Sequence, residues 1–294
     1  MVDSDAACLG FIGLGVMGGR MCRNLKQKSG KRVIGFDSDP GKAAALAAHG
    51  VEPGQSMAEV AEAADIVFLC LPGEPQVRAV CLGKDGIVAR MRAGQTLVDM
   101  TTATVAVDRE VAAACEARGV AFADAPIARG MPAAEAGTLS ITVGAEAKLF
   151  ERLRPYLACM GEEISHCGGV GTGQVVKLMN NMVVFANVST LAEVMAIGSR
   201  SGVDKKVLFD TLARGSADSF VLRRHGQHMI TGDYPDDQFS ITYSLKDLGY
   251  ALDMAEEVGV DARTAKLVKE RFEALVERGD GKLYSPAVYR LFEE

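Results

Sequence analysis

The sequence predicts an α/β fold, a doubly wound parallel sheet followed by an all-helical C-terminal domain. Three observations carry that prediction. Short apolar runs alternate with Ala-rich, helix-prone stretches from about residue 7 to 167. A G-x-G-x-x-G turn, Gly13, Gly15 and Gly18, closes the first of those runs. Past the glycine-rich stretch Gly168-Gly-Val-Gly-Thr-Gly173, no period-2 strand pattern follows. Strands separated by helices form a parallel sheet with helices on both faces.

Taken in order, the expected strands are Leu9–Ile12, Arg32–Phe36, Ile66–Leu71, Thr96–Asp99, Ala121–Asp124 and Ser140–Val143. Each is a short apolar run of the kind buried parallel strands show. Helices are expected between them, at about 17–28, 41–48, 57–63, 75–80, 105–117 and 146–158. A long apolar helix is expected at about 174–200; it would span roughly 40 Å at 1.5 Å per residue. The expected domains are 1–169, the alternating α/β part, and 170–294, the helical part.

The turn Gly13-Leu14-Gly15-Val16-Met17-Gly18 follows a strand and opens a helix. In such a turn the first glycine permits the tight bend. The second lets the backbone approach a pyrophosphate, and the third lets the helix pack close on the strand. The helix N-terminus offers free N–H groups and a partial positive charge to the phosphates. Asp37 stands at the end of the second strand, followed by Ser38 and by no arginine. A carboxylate there accepts hydrogen bonds from ribose hydroxyls and repels a 2′-phosphate, which points to NAD rather than NADP. A plain turn-capping role for Asp37, ahead of Asp39-Pro40, is the structural alternative.

Composition excludes several classes. The 294 residues are 48% apolar and 24% charged, with a net charge of −6, as in ordinary soluble globular chains. With no basic block, nucleic acid is not an expected partner. Seven cysteines form no C-x-x-C pair, which fits free thiols in a reducing compartment. The start, Met1-Val-Asp-Ser-Asp, lacks the basic and apolar parts of a signal peptide. The charge-free segment Leu178–Ala192 is short and carries Asn180, Asn181 and Asn187, so no membrane span is expected. The expected location is cytoplasmic. His225 and His228 share an i, i+3 spacing beside Arg223 and Arg224; with no ligand set nearby, no metal is implied and surface positions are expected.

Further motifs resemble one family. Gly13-Leu-Gly-Val-Met-Gly18, Leu71-Pro72, Asp99-Met-Thr-Thr102, Asp124-Ala-Pro126, Gly137-Thr-Leu139, Gly171-x-Gly-x-x-x-Lys177-x-x-x-Asn181 and Lys246-Asp-Leu248 run in order across nearly the whole chain. Together they resemble the β-hydroxyacid dehydrogenases, which include 3-hydroxyisobutyrate dehydrogenases and tartronate semialdehyde reductases. The resemblance implies a Rossmann-like domain, a helical domain and an active site between them. It implies that Lys177 is the catalytic lysine and that Asn181 orients substrate beside it. It implies cofactor contacts from Leu71, Pro72 and Thr102, and from Lys246 closing over the cofactor. It also implies a homodimer or homotetramer.

The residues themselves are compatible with that chemistry. Lys177 and Asn181 are four apart, so they share a helix face. Removing a hydroxyl proton while hydride leaves for a nicotinamide needs a base, and a desolvated lysine suits general acid/base work. From the pattern alone, a lysine snorkelling from the first turn of a long helix fits equally well. Thr102 could otherwise cap the next helix.

One segment departs from the family pattern. In the hydroxyisobutyrate branch Asp-Ala-Pro is followed by Val-Ser-Gly-Gly, whose serine and glycines bind the substrate carboxylate. Here the chain reads Ile127-Ala128-Arg129-Gly130. An arginine in this loop resembles the sulfolactaldehyde reductases, and hydroxymethylglutarate dehydrogenases carry a lysine there. The expectation is that Arg129, with Ala128 and Gly130, grips an anionic group, a guanidinium being a planar fork for two oxygens. The leading reading is an NAD-dependent oxidoreductase of a small anionic β-hydroxyacid or its semialdehyde. An imine reductase, which usually lacks this lysine, and a non-catalytic nucleotide-binding module are the other readings.

Overall fold

Each expected strand forms, and the helices fall between them. The structure is a computed structural model that describes residues 6–293; the polar start, Met1–Asp5, lies outside them. The chain makes two compact units, Met1–Lys177 and Leu178–Glu294. The first runs β1 (Cys8–Ile12), α1 (Val16–Ser29), β2 (Arg32–Phe36), α2 (Pro40–Ala47), β3 (Glu52–Pro53), α3 (Met57–Ala63) and β4 (Ile66–Leu69). It continues with α4 (Glu74–Leu82), β5 (Thr96–Asp99), α5 (Val105–Glu116), β6 (Ala121–Asp124), β7 (Ile127–Ala128) and α6 (Gly130–Ala136). β8 (Leu139–Gly144), α7 (Ala147–Leu157), β9 (Gly161–Gly168) and the start of α8 (Thr172–Arg200) complete it.

The sheet order is β3-β2-β1-β4-β5-β6-β8-β7, with β9 paired to β8. β1 to β6 run parallel to one another, whereas β8 runs antiparallel to β6 and β7. The order reverses between β1 and β4, the switch point at which such sheets bind ligands. Alternate residues of the strands feed two apolar cores. Leu9, Phe11 and Phe68 join Met21, Leu25 and Tyr156 in one. Ile12, Val67 and Leu69 join Val60, Val107 and Val111 in the other. This is the period of two that a sheet covered on both sides requires.

β9 was not among the expected strands. Its Glu162, Glu163, Ser165 and His166 are exposed or half-exposed, so it shows no apolar signal, and its pairing to β8 alone defines it. Short α6 and the two-residue strands β3 and β7 were likewise not anticipated.

The second unit carries most of α8, then α9 (Lys205–Leu212), α10 (Phe220–Thr231), α11 (Ile241–Glu257), α12 (Arg263–Glu277) and a 3₁₀ segment, Ser285–Phe292. Its core gathers Phe185, Val188, Met195, Ile241, Val268 and Phe272. The units divide at Lys177/Leu178 rather than at the expected 169/170. The physical reason lies in the first turns of α8, where Gly171 and Gln174 donate to the buried Asp124 of β6. Length and hydropathy alone would let α8 cross a membrane. Its buried Gln174, Lys177, Asn181 and Ser189 are instead features of a core helix.

His225 corrects an expectation. It is buried, with Nδ1 beside the Val221 carbonyl at 3.2 Å and Nε2 beside Tyr284 Oη at 2.9 Å. Burial pulls it down to about 4, so it is a neutral core residue at physiological pH. His228 Nδ1 lies 2.7 Å from the Asp233 carbonyl. All seven cysteines are free.

Candidate active site

The glycine turn sits at the switch point, as its sequence context requires. Gly13 has φ of +92°, and a Cβ there would lie 2.2 Å from the Cys70 carbonyl. A Cβ on Gly18 would lie 1.9 Å from the Gly13 carbonyl, so α1 is packed too closely on the turn for any other residue. Gly15 differs, since a Cβ there would meet nothing within 4 Å. Gly15 is the N-cap of α1, makes no side-chain cap, and no acidic residue stands in the first turn. Val16 is exposed and Met17 is half-buried, whereas Leu14 is buried. The turn is thus an open cradle of N–H groups at a helix N-terminus, which fits a pyrophosphate.

Asp37 is built into this cradle. Its Oδ2 accepts the Leu14 N–H at 2.7 Å, and its Oδ1 accepts the Asp39 N–H at 2.9 Å. Lys42 Nζ stands 3.2 Å from Oδ1. Burial raises this carboxyl, but the Asp39 and Leu14 N–H groups and Lys42 more than offset it and hold it below its ordinary value. Lys42 went unnoticed in the sequence because it reaches back from the first turns of α2.

On the other side of the switch point lie Leu71, half-buried, and Pro72, exposed. The Leu71 N–H donates to Thr101 Oγ1 at 3.0 Å. Thr102 follows and is half-buried; the cap of α5 is Thr104, which accepts from Val107, and not Thr102. Three carboxyls lie beneath this turn, and Asp99, Asp108 and Asp124 are all fully buried. Asp99 Oδ1 accepts the Thr101 N–H at 2.8 Å. Burial pushes Asp99 up to about 6 against the pull of the Thr101 hydrogen bonds. Burial likewise pushes Asp124 up to about 6, against the N–H groups of Gly171 and Gln174. Asp108 has the Gln174 side chain as a polar neighbour besides Asp99, and this only partly offsets its burial. The Asp99 and Asp108 carboxyls face one another, an arrangement that calls for a proton between them.

Lys177 and Asn181 lie one turn apart on α8, and their exposures are 9% and 6%. Asn181 is held in place, with Nδ2 donating to Asp247 Oδ2 at 2.7 Å and Oδ1 accepting from Asn180 at 3.1 Å. Asp247, buried on α11, also faces Lys246 Nζ, 2.7 Å from its Oδ1. Lys246 lies 4.8 Å over the Tyr250 ring. Asp247 sits inside the Lys246-Asp-Leu248 motif but was not singled out, because a motif alone does not say which member is buried.

Arg129 takes an unexpected course. It is the one described non-glycine residue with positive φ, at 84°, and Gly130 follows with φ of 73°. Its Nη1 donates to the Thr138 carbonyl at 3.1 Å and pairs with Glu162, while Nη2 lies 3.9 Å from Glu163. The guanidinium expected to grip an anion is therefore charge-compensated by β9, a strand the sequence did not reveal. In this turn Arg129 and Gly130 hold consecutive left-handed positions, whereas Ala128 pairs with Ser140 of β8.

Known proteins match the chain along its whole length. Residues 8–169 match the NAD-binding domain of 6-phosphogluconate dehydrogenase, and residues 171–292 match the NAD-binding domain of NADP-dependent 3-hydroxyisobutyrate dehydrogenase. The 2-(hydroxymethyl)glutarate dehydrogenase of Eubacterium barkeri is 33% identical over 97% of this chain and 95% of its own length. The 3-hydroxyisobutyrate dehydrogenase of Pseudomonas aeruginosa is 35% identical over 90% of each chain. The chain belongs to the β-hydroxyacid dehydrogenase family. As a β-hydroxyacid dehydrogenase it is an NAD(P)-dependent oxidoreductase. The 3-hydroxyisobutyrate dehydrogenase of Mycobacterium tuberculosis, solved with L-serine, superposes at a TM-score of 0.90 with 30% identity, covering 99% of this chain and 100% of that one. An imine reductase from a Pseudomonas species shares the fold, at a TM-score of 0.63 and 17% identity over 97% of this chain and 99% of that one.

Proposed function

We propose that this β-hydroxyacid dehydrogenase oxidises a small anionic β-hydroxyacid to its semialdehyde, and reverses that reaction, with Lys177 as general acid/base and NAD as cofactor. The observation that carries the reading is Lys177 itself, a nine-tenths buried lysine one turn from an asparagine whose amide is fixed by a buried carboxylate. A lysine placed only to reach solvent would not be enclosed in this way.

The Gly13–Gly18 turn would hold the pyrophosphate, Asp37 the adenosine ribose, and Leu71, Pro72, Thr102 and Lys246 the remaining passage. When bound, the nicotinamide supplies the hydride acceptor. Lys177 Nζ takes the substrate's hydroxyl proton in the oxidation and returns it to the carbonyl oxygen in the reduction, which is worth about 10²–10⁴ in rate. Asn181 donates to the same oxygen and fixes its direction. The acid end is assigned to the backbone of Ala128, Arg129 and Gly130, with Arg129 fixing the turn through Glu162.

A second reading within this family has its own support. The relative from Eubacterium barkeri acts, by its name, on 2-(hydroxymethyl)glutarate, which carries two carboxylates. A substrate with a second anionic group, a carboxylate or a sulfonate, would draw Arg129 away from Glu162. The exposed stripe Val176, Val183 and Ile197 along α8 supports a homodimer or homotetramer, and the free cysteines support a cytoplasmic location. The test is a panel of 3-hydroxyisobutyrate, 2-(hydroxymethyl)glutarate, tartronate semialdehyde and sulfolactaldehyde, each run with NAD(H) and NADP(H), on wild type and Arg129→Ala. The expected result is NAD-dependent turnover of at least one. Loss of that turnover in Arg129→Ala only with 2-(hydroxymethyl)glutarate, the one dianion of the panel, would favour the second reading; no turnover of any member, with NADH still bound, would overturn the enzyme reading.

A further inference from the structure

Gln174 is fully buried, and neither the glycine turn nor the lysine accounts for it. Its side chain makes both kinds of bond an amide offers. Oε1 accepts the Ala103 N–H at 3.2 Å, and Nε2 donates to the Thr101 carbonyl at 2.7 Å. Those two backbone groups flank Thr102. The N–H of Gln174 is also fixed, donating to Asp124 Oδ2 at 2.9 Å. One residue is therefore joined to β6 by its main chain and to the Thr101–Ala103 turn by its side chain. It precedes Lys177 by three residues, so the two side chains leave neighbouring positions on α8. The turn is braced from its far side as well, through Leu71 on Thr101 Oγ1 and Thr101 on Asp99.

We propose that Gln174 is a positioning residue for the reaction, clamping the turn that carries Thr102 to the first turns of the helix that carries Lys177, so that the hydride path and the proton path stay in register. The proposal rests on the roles given above to Lys177 and Thr102. A neutral side chain with one acceptor and one donor is required, because the two backbone groups it holds are of opposite kind. Displacement of about 1 Å between reacting groups costs on the order of 10²-fold in rate. The charged and titratable groups around the clamp are Asp99 from β5, Asp108 from α5, Asp124 from β6, Arg109 beside Gly171, and Lys177 on α8 itself.

The test uses three full-length variants with NAD and the acid that wild type oxidises fastest. Gln174→Met keeps the volume and removes both bonds. It is expected to lower kcat by roughly 10- to 100-fold, with the KM for the acid and the Kd for NADH within about threefold and the melting transition still cooperative. Gln174→Glu, as a neutral carboxylic acid among buried carboxyls, keeps one acceptor and one donor. It is expected to restore kcat at pH 6 and to lose it as pH rises, in a limb that wild type lacks. Lys177→Ala is the control. If Gln174→Met keeps kcat within twofold while Lys177→Ala abolishes turnover, the clamp proposal fails and the lysine reading stands. If Lys177→Ala turns over at the wild-type rate, the lysine reading fails. If Gln174→Glu follows Gln174→Met at every pH, or if kcat falls only in proportion to unfolded protein, Gln174 is merely structural.

Discussion

Replacing Asp108 by asparagine should stabilise the protein, increasingly so as pH rises. Asp108 is fully buried in the first turn of α5, beside the Asp99 carboxyl and the Gln174 side chain. Burial first, then the charges of Asp99 and Asp124, push its carboxyl well above the ordinary 3.8. The fold therefore keeps a proton that the unfolded chain releases above about pH 4. A carboxyl raised in this way favours the fold fully below its unfolded pKa, and that advantage is lost as pH climbs toward the folded one. The loss runs at about 1.4 kcal/mol per pH unit while the proton is retained. An asparagine does not titrate, and its amide can donate to Asp99 Oδ2. Between pH 5 and 7 the stability difference between Asp108→Asn and wild type should widen by up to about 3 kcal/mol. For a chain of this size that is roughly 6–12 °C in Tm. Thermal melts and urea unfolding at pH 5, 6, 7 and 8 measure it. A difference that stays constant with pH, or an Asp108→Asn protein that falls further below wild type at pH 8, would refute the shared-proton account of Asp99 and Asp108.

Further outcomes follow from the cradle. Gly15→Ala has open space for its Cβ and φ of −66°, so its Tm should match wild type while NADH affinity, read by fluorescence titration, falls at least about tenfold as the methyl enters the pyrophosphate space. Gly18→Ala, whose Cβ would meet the Gly13 carbonyl at 1.9 Å, should instead lose about 1–3 kcal/mol of stability in urea unfolding. If Asp37 selects NAD as proposed, Asp37→Ala removes that carboxylate and its pairing with Lys42, so the ratio of kcat/KM for NADP over NAD should rise at least about tenfold, or about 1.4 kcal/mol; an unchanged ratio would place cofactor choice elsewhere.

What could be read from the sequence was local. The turn at Gly13–Gly18 was legible because all of its geometry lies in one stretch after one strand. The six strands from Leu9 to Val143 were legible because both sheet faces are covered and each run is mostly apolar. β9 was not, because an edge strand with exposed Glu162 and Glu163 has no such run. That omission also misdirected Arg129, whose partners lie on β9. Asp99, Asp108 and Asp124 are far apart in the chain but converge because β5, α5 and β6 are adjacent; no spacing rule reports that. The attachment of the first turns of α8 to the first unit was not legible either, since Asp124 and the Thr101–Ala103 turn hold residues past the glycine-rich stretch. Lys177 and Asn181 were legible as a pair, one helical turn apart, but Asp247, which fixes Asn181, comes from a different helix.

The central claim is that Lys177 moves the proton and does not merely support the fold. Its most direct test is Lys177→Ala, assayed for NADH affinity by fluorescence titration and for single-turnover reduction of the best semialdehyde from the panel. The account predicts an NADH Kd within about threefold of wild type and a hydride-transfer rate lower by about 10²–10⁴-fold. Hydride transfer at the wild-type rate with NADH bound as tightly as before would contradict it.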